Sequence, residues 1–197
     1  MKVLIAEDDG LAAQQIEHEL RALGHQVVGT AETGRRAVEL AGLLEPEMAL
    51  MDVVLPGLDG IDAAREMLAR RAIPIIMVTG HAEPELVARA AAAGVFTYLL
   101  KPVRQRELGT AIQIALARFE ELQALHQQVR DLREALEVRK TVEQAKGILM
   151  RRLQVPEADA FRMLQRRAAS TRKSIREVSE SVWEADRFYR EMDAQES

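Results

Sequence analysis

"MALMDVVLPGLDG", residues 48–60, begins as a buried strand and then breaks its own pattern. The apolar run Met48-Ala49-Leu50-Met51 meets Asp52, and Val53-Val54-Leu55 follows before a Pro-Gly turn. A lone carboxylate in such a run costs roughly several kcal/mol unless it is paired. The stretch therefore predicts a strand that ends at Asp52, with partners for that carboxylate brought by other parts of the chain.

Outward from this strand, the first 117 residues alternate strand and helix signals. Strands are expected at 2–6, 26–31, 47–52, 73–78 and 97–100, and helices at 11–23, 35–44, 61–70 and 84–93. Gly24 and Gly94 stand where helices would end in a left-handed cap. Five such units predict an α/β, doubly wound parallel sheet with helices on both faces. Ligands of these sheets sit beyond the carboxyl ends of the strands, which is where Asp52 falls.

Composition excludes several classes. The 197 residues contain no cysteine, so no disulfide framework or thiolate metal site is available. No stretch approaches the ~18 apolar residues of a membrane span, and "MKVLIAEDDG" turns acidic too early for a secretory signal. A cytoplasmic location is expected. The net charge of −4 conceals an uneven distribution: residues 139–176 hold 11 basic against 3 acidic side chains, or +8, while the rest is acidic. A basic block in an acidic chain points to a local polyanion site.

Polar residues interrupt the apolar runs at four expected strand ends. They are Glu7-Asp8-Asp9, Asp52, Thr79 and Lys101. Clustered carboxylates call for a cation, and hard oxygen donors suit Mg²⁺. A lysine and a threonine beside them would complete a pocket for a phosphoryl group, with an Asp52 oxygen as nucleophile.

In these motifs residues 1–117 resemble the receiver domain of two-component response regulators. The acidic pair stands as Glu7-Asp8, the phosphoacceptor as "LMDVVLPGLDG", the switch threonine as "VTG" and the lysine as "YLLKP". The resemblance implies a flavodoxin-like sheet of order 2-1-3-4-5 and phosphorylation of Asp52 by a sensor histidine kinase. It implies Mg²⁺ held by Asp8, Asp52 and the Val54 carbonyl, with Glu7 acting through water. Lys101, Thr79 and Tyr98 would be the catalytic and switch residues, Val54 and His81 the neighbours of the phosphoryl group, and Lys101–Pro102 a cis bond. It implies no enzyme beyond the domain's own phosphorylation and dephosphorylation. Gly80 departs from the alanine frequent in the family.

Beyond Pro102 the chain reads as helix through Leu153. Leu122, Leu125, Val129, Leu132 and Leu136 keep 3-4 spacing, a short coiled-coil seam over a linker at 118–136. This seam suggests a homodimer, with packing on the chain's own domains as the other possibility. Pro156 suits the first position of a second helix, and Ser174 with Glu177 forms a capping box for a third. Val138, Val142, Ala145, Leu149 and Leu153 make an apolar stripe, and Lys140, Gly147 and Arg151 lie opposite. Phe161 is expected in the small core with Leu164.

Residues 137–190 resemble the ANTAR domain, an RNA-binding antiterminator module, before an acidic tail at 191–197. The motif stands as Arg139, Val142, Ala145-Lys146-Gly147 and Leu149-Met150, followed by Ala160-Phe161, Leu164 and Ala168. Gln154 replaces a usual turn glycine, and Ser179 a usual alanine. The resemblance implies binding to RNA stem-loops in nascent transcripts and control of termination. Lys140, Lys146, Gly147, Arg151, Arg152, Arg166 and Arg167 are the candidate RNA-binding residues. A DNA-binding regulator and an interaction-only adaptor remain alternatives.

Overall fold

The structure is a computed structural model that describes residues 1–80 and 84–195. His81 lies outside the described residues. The chain divides into two compact units, Met1–Ala124 and Leu125–Ser197.

In the first unit five parallel strands run β1 (Lys2–Ala6), β2 (Gln26–Ala31), β3 (Met48–Asp52), β4 (Ile75–Thr79) and β5 (Thr97–Leu100). Their order is β2-β1-β3-β4-β5, the flavodoxin-like arrangement. Strand β4 opens two residues later than the apolar pattern suggests, because Pro74 has no N–H to give the ladder. It extends to Thr79, which pairs in register with Leu100.

Helices α1 (Gly10–Ala22), α2 (Gly34–Leu44), α3 (Gly60–Arg70) and α4 (Pro84–Ala92) connect the strands. The first three begin at a glycine, one residue ahead of the apolar pattern, because each is capped by the residue before it. Asp9 accepts from the Leu11 and Ala12 N–H groups, Thr33 from Arg36, and Asp59 from Asp62. Alternate residues of each strand feed opposite faces of the sheet. Leu4, Ala6, Met51 and Met77 pack with α2, α3 and α4, while Val3, Ile5, Leu50 and Ile76 pack with α1 and the start of α5 (Gln105–Leu153).

Along α5, the expected seam lies exposed among the described residues, from 38% at Leu122 and Val129 to 66% at Leu132. The second unit packs the end of α5 against α6 (Glu157–Thr171) and α7 (Ile175–Gln195). Its core is Val142, Ala145, Leu164 and Val178, bordered by Val138, Leu149, Ala168, Ile175 and Val182. Leu153, expected in the stripe, is exposed at the helix end. Pro156 is the N-cap of α6 and not its first residue, since its ψ of 156° is extended. Ser174 and Glu177 form the expected capping box, with the Ser174 N–H and hydroxyl both donating to Glu177. No helix among the described residues is long and apolar enough to cross a membrane.

Candidate functional site

Asp52 ends β3 and is buried. Its backbone is fixed from two sides: the Val53 N–H donates to the Val78 carbonyl at 3.0 Å, and the Gly60 N–H donates to the Val53 carbonyl at 3.0 Å. A Cβ on Gly60 would lie 1.8 Å from the Asp52 carbonyl oxygen, so only glycine permits this approach. The only sequence signal of that role is the Asp59-Gly60 pair after the Pro-Gly turn.

The Asp52 carboxylate is held at both oxygens. The Val54 N–H donates to Oδ1 at 3.0 Å, and Lys101 Nζ donates to Oδ2 at 2.6 Å. The same ammonium donates to Glu7 Oε1 at 2.7 Å and lies 2.6 Å from Oε2. Lys101 thus ties the end of β1 to the end of β3, which answers why a carboxylate sits in an apolar strand. Burial pushes the Glu7 carboxyl above its usual range against the Lys101 hydrogen bond, and the Asp52 charge adds to the rise. Burial alone would lower Lys101, but hydrogen bonds to Asp52 and Glu7 outweigh it and hold the ammonium above its usual value.

Glu7, Asp8 and Asp52 each offer an oxygen, all within 4.8 Å of one another. Asp8 is exposed, while Glu7 and Asp52 are buried. Three hard donors at this spacing, with one open to solvent, fit a small oxygen-seeking divalent cation better than a soft one. Thr79 is buried at the end of β4, Tyr98 is half-exposed on β5, and the Lys101 N–H donates to the Thr79 carbonyl at 2.9 Å. Val54 is exposed beside the pocket, and Lys101–Pro102 is cis. Beyond the pocket, Arg89 of α4 donates to Asp59, the cap of α3, at 2.8 Å. No local pattern announces that pair, whose members lie thirty residues apart.

The second unit sorts its cations more sharply than the sequence did. Lys146 was expected on an RNA surface, yet it is only 7% exposed. Its ammonium donates to Glu143 at 2.8 and 2.9 Å, lies 2.6 Å from Glu157, and stands 5.9 Å above the Phe161 ring. The hydrogen bonds to Glu143 and then Glu157 raise it above the usual lysine value. Lys146 therefore clamps α5 to the first turn of α6. Phe161 covers that clamp at the surface, 37% exposed, and does not enter the core. Arg152 is likewise engaged: its Nε donates to the buried Asp186 at 2.8 Å, and Arg190 takes the other Asp186 oxygen.

Among the described residues, no acidic partner is recorded for Arg151, Arg166 or Arg167, and Lys140 reaches Glu137 only at 4.0 Å. Gly147 and Arg151 do not face open solvent alone, because Trp183 and Arg187 of α7 form the opposite wall of a groove there. Gln154 holds φ at 54°, so the left-handed turn survives the loss of glycine. Ser179 is buried and donates its hydroxyl to the Ile175 carbonyl at 2.7 Å.

Comparison with known proteins follows the same division. The family model for the response regulator receiver domain matches residues 3–113, and that for the ANTAR domain matches residues 130–182. The transcriptional regulatory protein PdtaR of Mycobacterium tuberculosis (strain ATCC 25618 / H37Rv) is 44% identical over 93% of this chain and 89% of its own length. The signal receiver domain of a modulated diguanylate cyclase from Desulfovibrio desulfuricans G20 is 37% identical. It superposes with a TM-score of 0.57 over 60% of this chain and 95% of its own. The N-terminal domain of a response regulator/sensory box/GGDEF protein from Carboxydothermus hydrogenoformans is 32% identical, with a TM-score of 0.56 over 61% and 98%. With an acidic pocket at the strand ends and a helical module following in sequence, the chain belongs to the response regulators that join a receiver domain to an ANTAR domain.

Proposed function

We propose that the protein is a phosphorylation-controlled antiterminator that binds structured RNA. The observation that carries the input half is Lys101 bridging Glu7 and Asp52 beside Asp8. In this reading a histidine kinase presents a phosphoimidazole, and an Asp52 oxygen attacks phosphorus as the P–N bond breaks. The imidazole leaves with the electron pair and takes a proton. Lys101 then pairs with the new phosphoryl oxygens, and Thr79 and Tyr98 respond to them, with Val54 and His81 as neighbours. Asp8, Asp52 and the Val54 carbonyl would hold Mg²⁺, with Glu7 acting through water. Bound there, the ion would neutralise charge on the transferring phosphoryl group. The chain's own residues orient Asp52 and supply the ammonium.

The output half rests on cations with no close carboxylate, Lys140 reaching Glu137 only at 4.0 Å. Arg151 beside Gly147, with Lys140 and with Arg166 and Arg167 on α6, forms the phosphate-binding set. Lys146 and Arg152 shape the module from within. The receiver occupies 1–117, the linker 118–136, the RNA-binding module 137–190 and the acidic tail 191–197. The exposed Leu122–Leu136 row supports a homodimer, with phosphorylation tipping the equilibrium.

Binding of the full chain to stem-loop RNA and to duplex DNA, across salt and with or without acetyl phosphate, tests both halves. RNA should bind more tightly than DNA, phosphorylation should strengthen it, and Asp52→Asn should abolish that gain. Equal affinity for DNA, or an unchanged response in Asp52→Asn, refutes the reading.

A further inference from the structure

We propose that the groove between α5 and α7 is a recess for one unpaired RNA base, stacked on Trp183, with Arg151 taking the adjoining phosphate. The inference rests on the RNA-binding reading above and adds to it the place where a loop nucleotide is read.

The groove has a volume of about 540 Å³ and is lined by Gly147 and Arg151 on α5 and by Trp183 and Arg187 on α7. This is the size range of clefts that hold small organic groups. Its floor is a glycine in mid-helix, where glycine costs about 1 kcal/mol relative to alanine. Protein packing does not demand it: a Cβ on Gly147 would meet only the Arg151 Nη1, at an ordinary 3.6 Å. Gly60 presents the opposite case, with a backbone oxygen 1.8 Å away. A helix that accepts the cost of glycine without filling the space keeps that space for something else.

The walls suit a nucleotide. Trp183 is 43% exposed, and Arg187 braces its ring, the guanidinium carbon 5.2 Å from the ring centre. A part-exposed indole with a guanidinium over one face is the kind of platform on which bases of single strands stack. Arg151 has no acidic partner among the described residues, so its charge is available. The buried carboxylate in the wall, Asp186, already receives Arg152 and Arg190 and does not repel a phosphate. Glu143 and Gln144 at the groove edge offer an acceptor and an amide to the edge of a base. A base paired within a stem presents no open face, so the recess selects loops over helices.

Trp183 is the chain's only tryptophan, which makes its fluorescence a report on this groove alone. The full-length protein, with and without acetyl phosphate, is titrated with a pool of RNA hairpins bearing randomised purine-containing loops. The same stems as blunt duplexes serve as the comparison. Labelled-RNA anisotropy gives affinity while tryptophan emission gives stacking. Hairpins should quench Trp183 and duplexes should not. Trp183→Ala should weaken hairpin binding about 5- to 150-fold, the usual worth of one stacked base, and Trp183→Phe should recover most of it. Gly147→Leu should weaken binding and abolish quenching while circular dichroism shows an unchanged or raised melting point. Hairpin binding with unchanged emission, or with full affinity in Trp183→Ala or Gly147→Leu, overturns the recess and leaves the RNA reading intact. No hairpin binding by the unaltered protein in either state overturns both.

Discussion

Gly60→Ala is the substitution on which the account of the phosphoacceptor pocket depends most directly. The new methyl group would start 1.8 Å from the Asp52 carbonyl oxygen and 2.9 Å from its carbon. Both partners are backbone, so no side chain can swing aside, and the segments must part by about 1 Å or more. That separation breaks the Gly60–Val53 hydrogen bond, worth about 1 kcal/mol, and adds strain of about 1–3 kcal/mol. A total of roughly 2–4 kcal/mol lowers the melting temperature of a unit this size by roughly 6–15 °C. The chemistry should suffer further, because Asp52 is displaced from a lysine held at 2.6 Å. A misplacement of about 1 Å commonly costs on the order of 100-fold in rate. Acetyl phosphate labelling, followed by mass spectrometry at a temperature where the variant is folded, measures that loss directly. Wild-type melting together with wild-type labelling would show that the Asp52 backbone is not confined as described.

Three further outcomes follow from the geometry. Gln154→Gly should raise the melting point of the helical module by roughly 3–6 °C, since a non-glycine residue at φ 54° stores about 1 kcal/mol; a lower melting point refutes it. Lys146→Met should destabilise the α5–α6 pair yet leave the salt dependence of RNA binding unchanged, whereas Arg166→Ala should reduce its slope by about 1. An equal change in slope for both would return Lys146 to the RNA surface. The raised Glu7 carboxyl binds its proton more tightly folded than unfolded. Its contribution is therefore full below the unfolded value near 4.5 and is lost as pH rises through the higher folded one. Glu7→Gln removes this loss, so denaturant titrations should show the variant gaining on the wild type as pH climbs above about 4.5. A gap that stays constant across that window contradicts the burial of Glu7.

The sheet was legible because β1, β3 and β4 are short, mostly apolar, buried runs whose carboxyl ends turn polar, and periodicity reads such runs well. Glu7, Asp52, Thr79 and Lys101 were found for the same reason: each interrupts a pattern. Helix starts were read one residue late, because Gly10, Gly34 and Gly60 carry no apolar signal and only the preceding caps mark them. What lay hidden were the pairings. Nothing local announces that Lys146 meets Glu157 across a turn, or that Arg152 meets Asp186 on a different helix. A count of charges sees a +8 block where the fold has already engaged Lys146, Arg152, Arg162 and Arg176 with carboxylates. Phe161 was misplaced by the same blindness, since its partner is an ammonium and not the core.

Helix α6 is bracketed by two residues that both hold the left-handed conformation without being glycine, Gln154 at φ 54° before it and Arg172 at φ 55° after it. Each stores about 1 kcal/mol, and the core that must offset them is small, built on Val142, Ala145, Ile148, Ala160, Leu164 and Val178. The helix is consequently the place where opening costs least within its module. Its amides will exchange with solvent earlier than those of β1, β3 and β4, whose residues are almost wholly buried. A ligand that touches α6 gains by closing what thermal motion opens, so occupancy of the module and protection of this one helix should rise together.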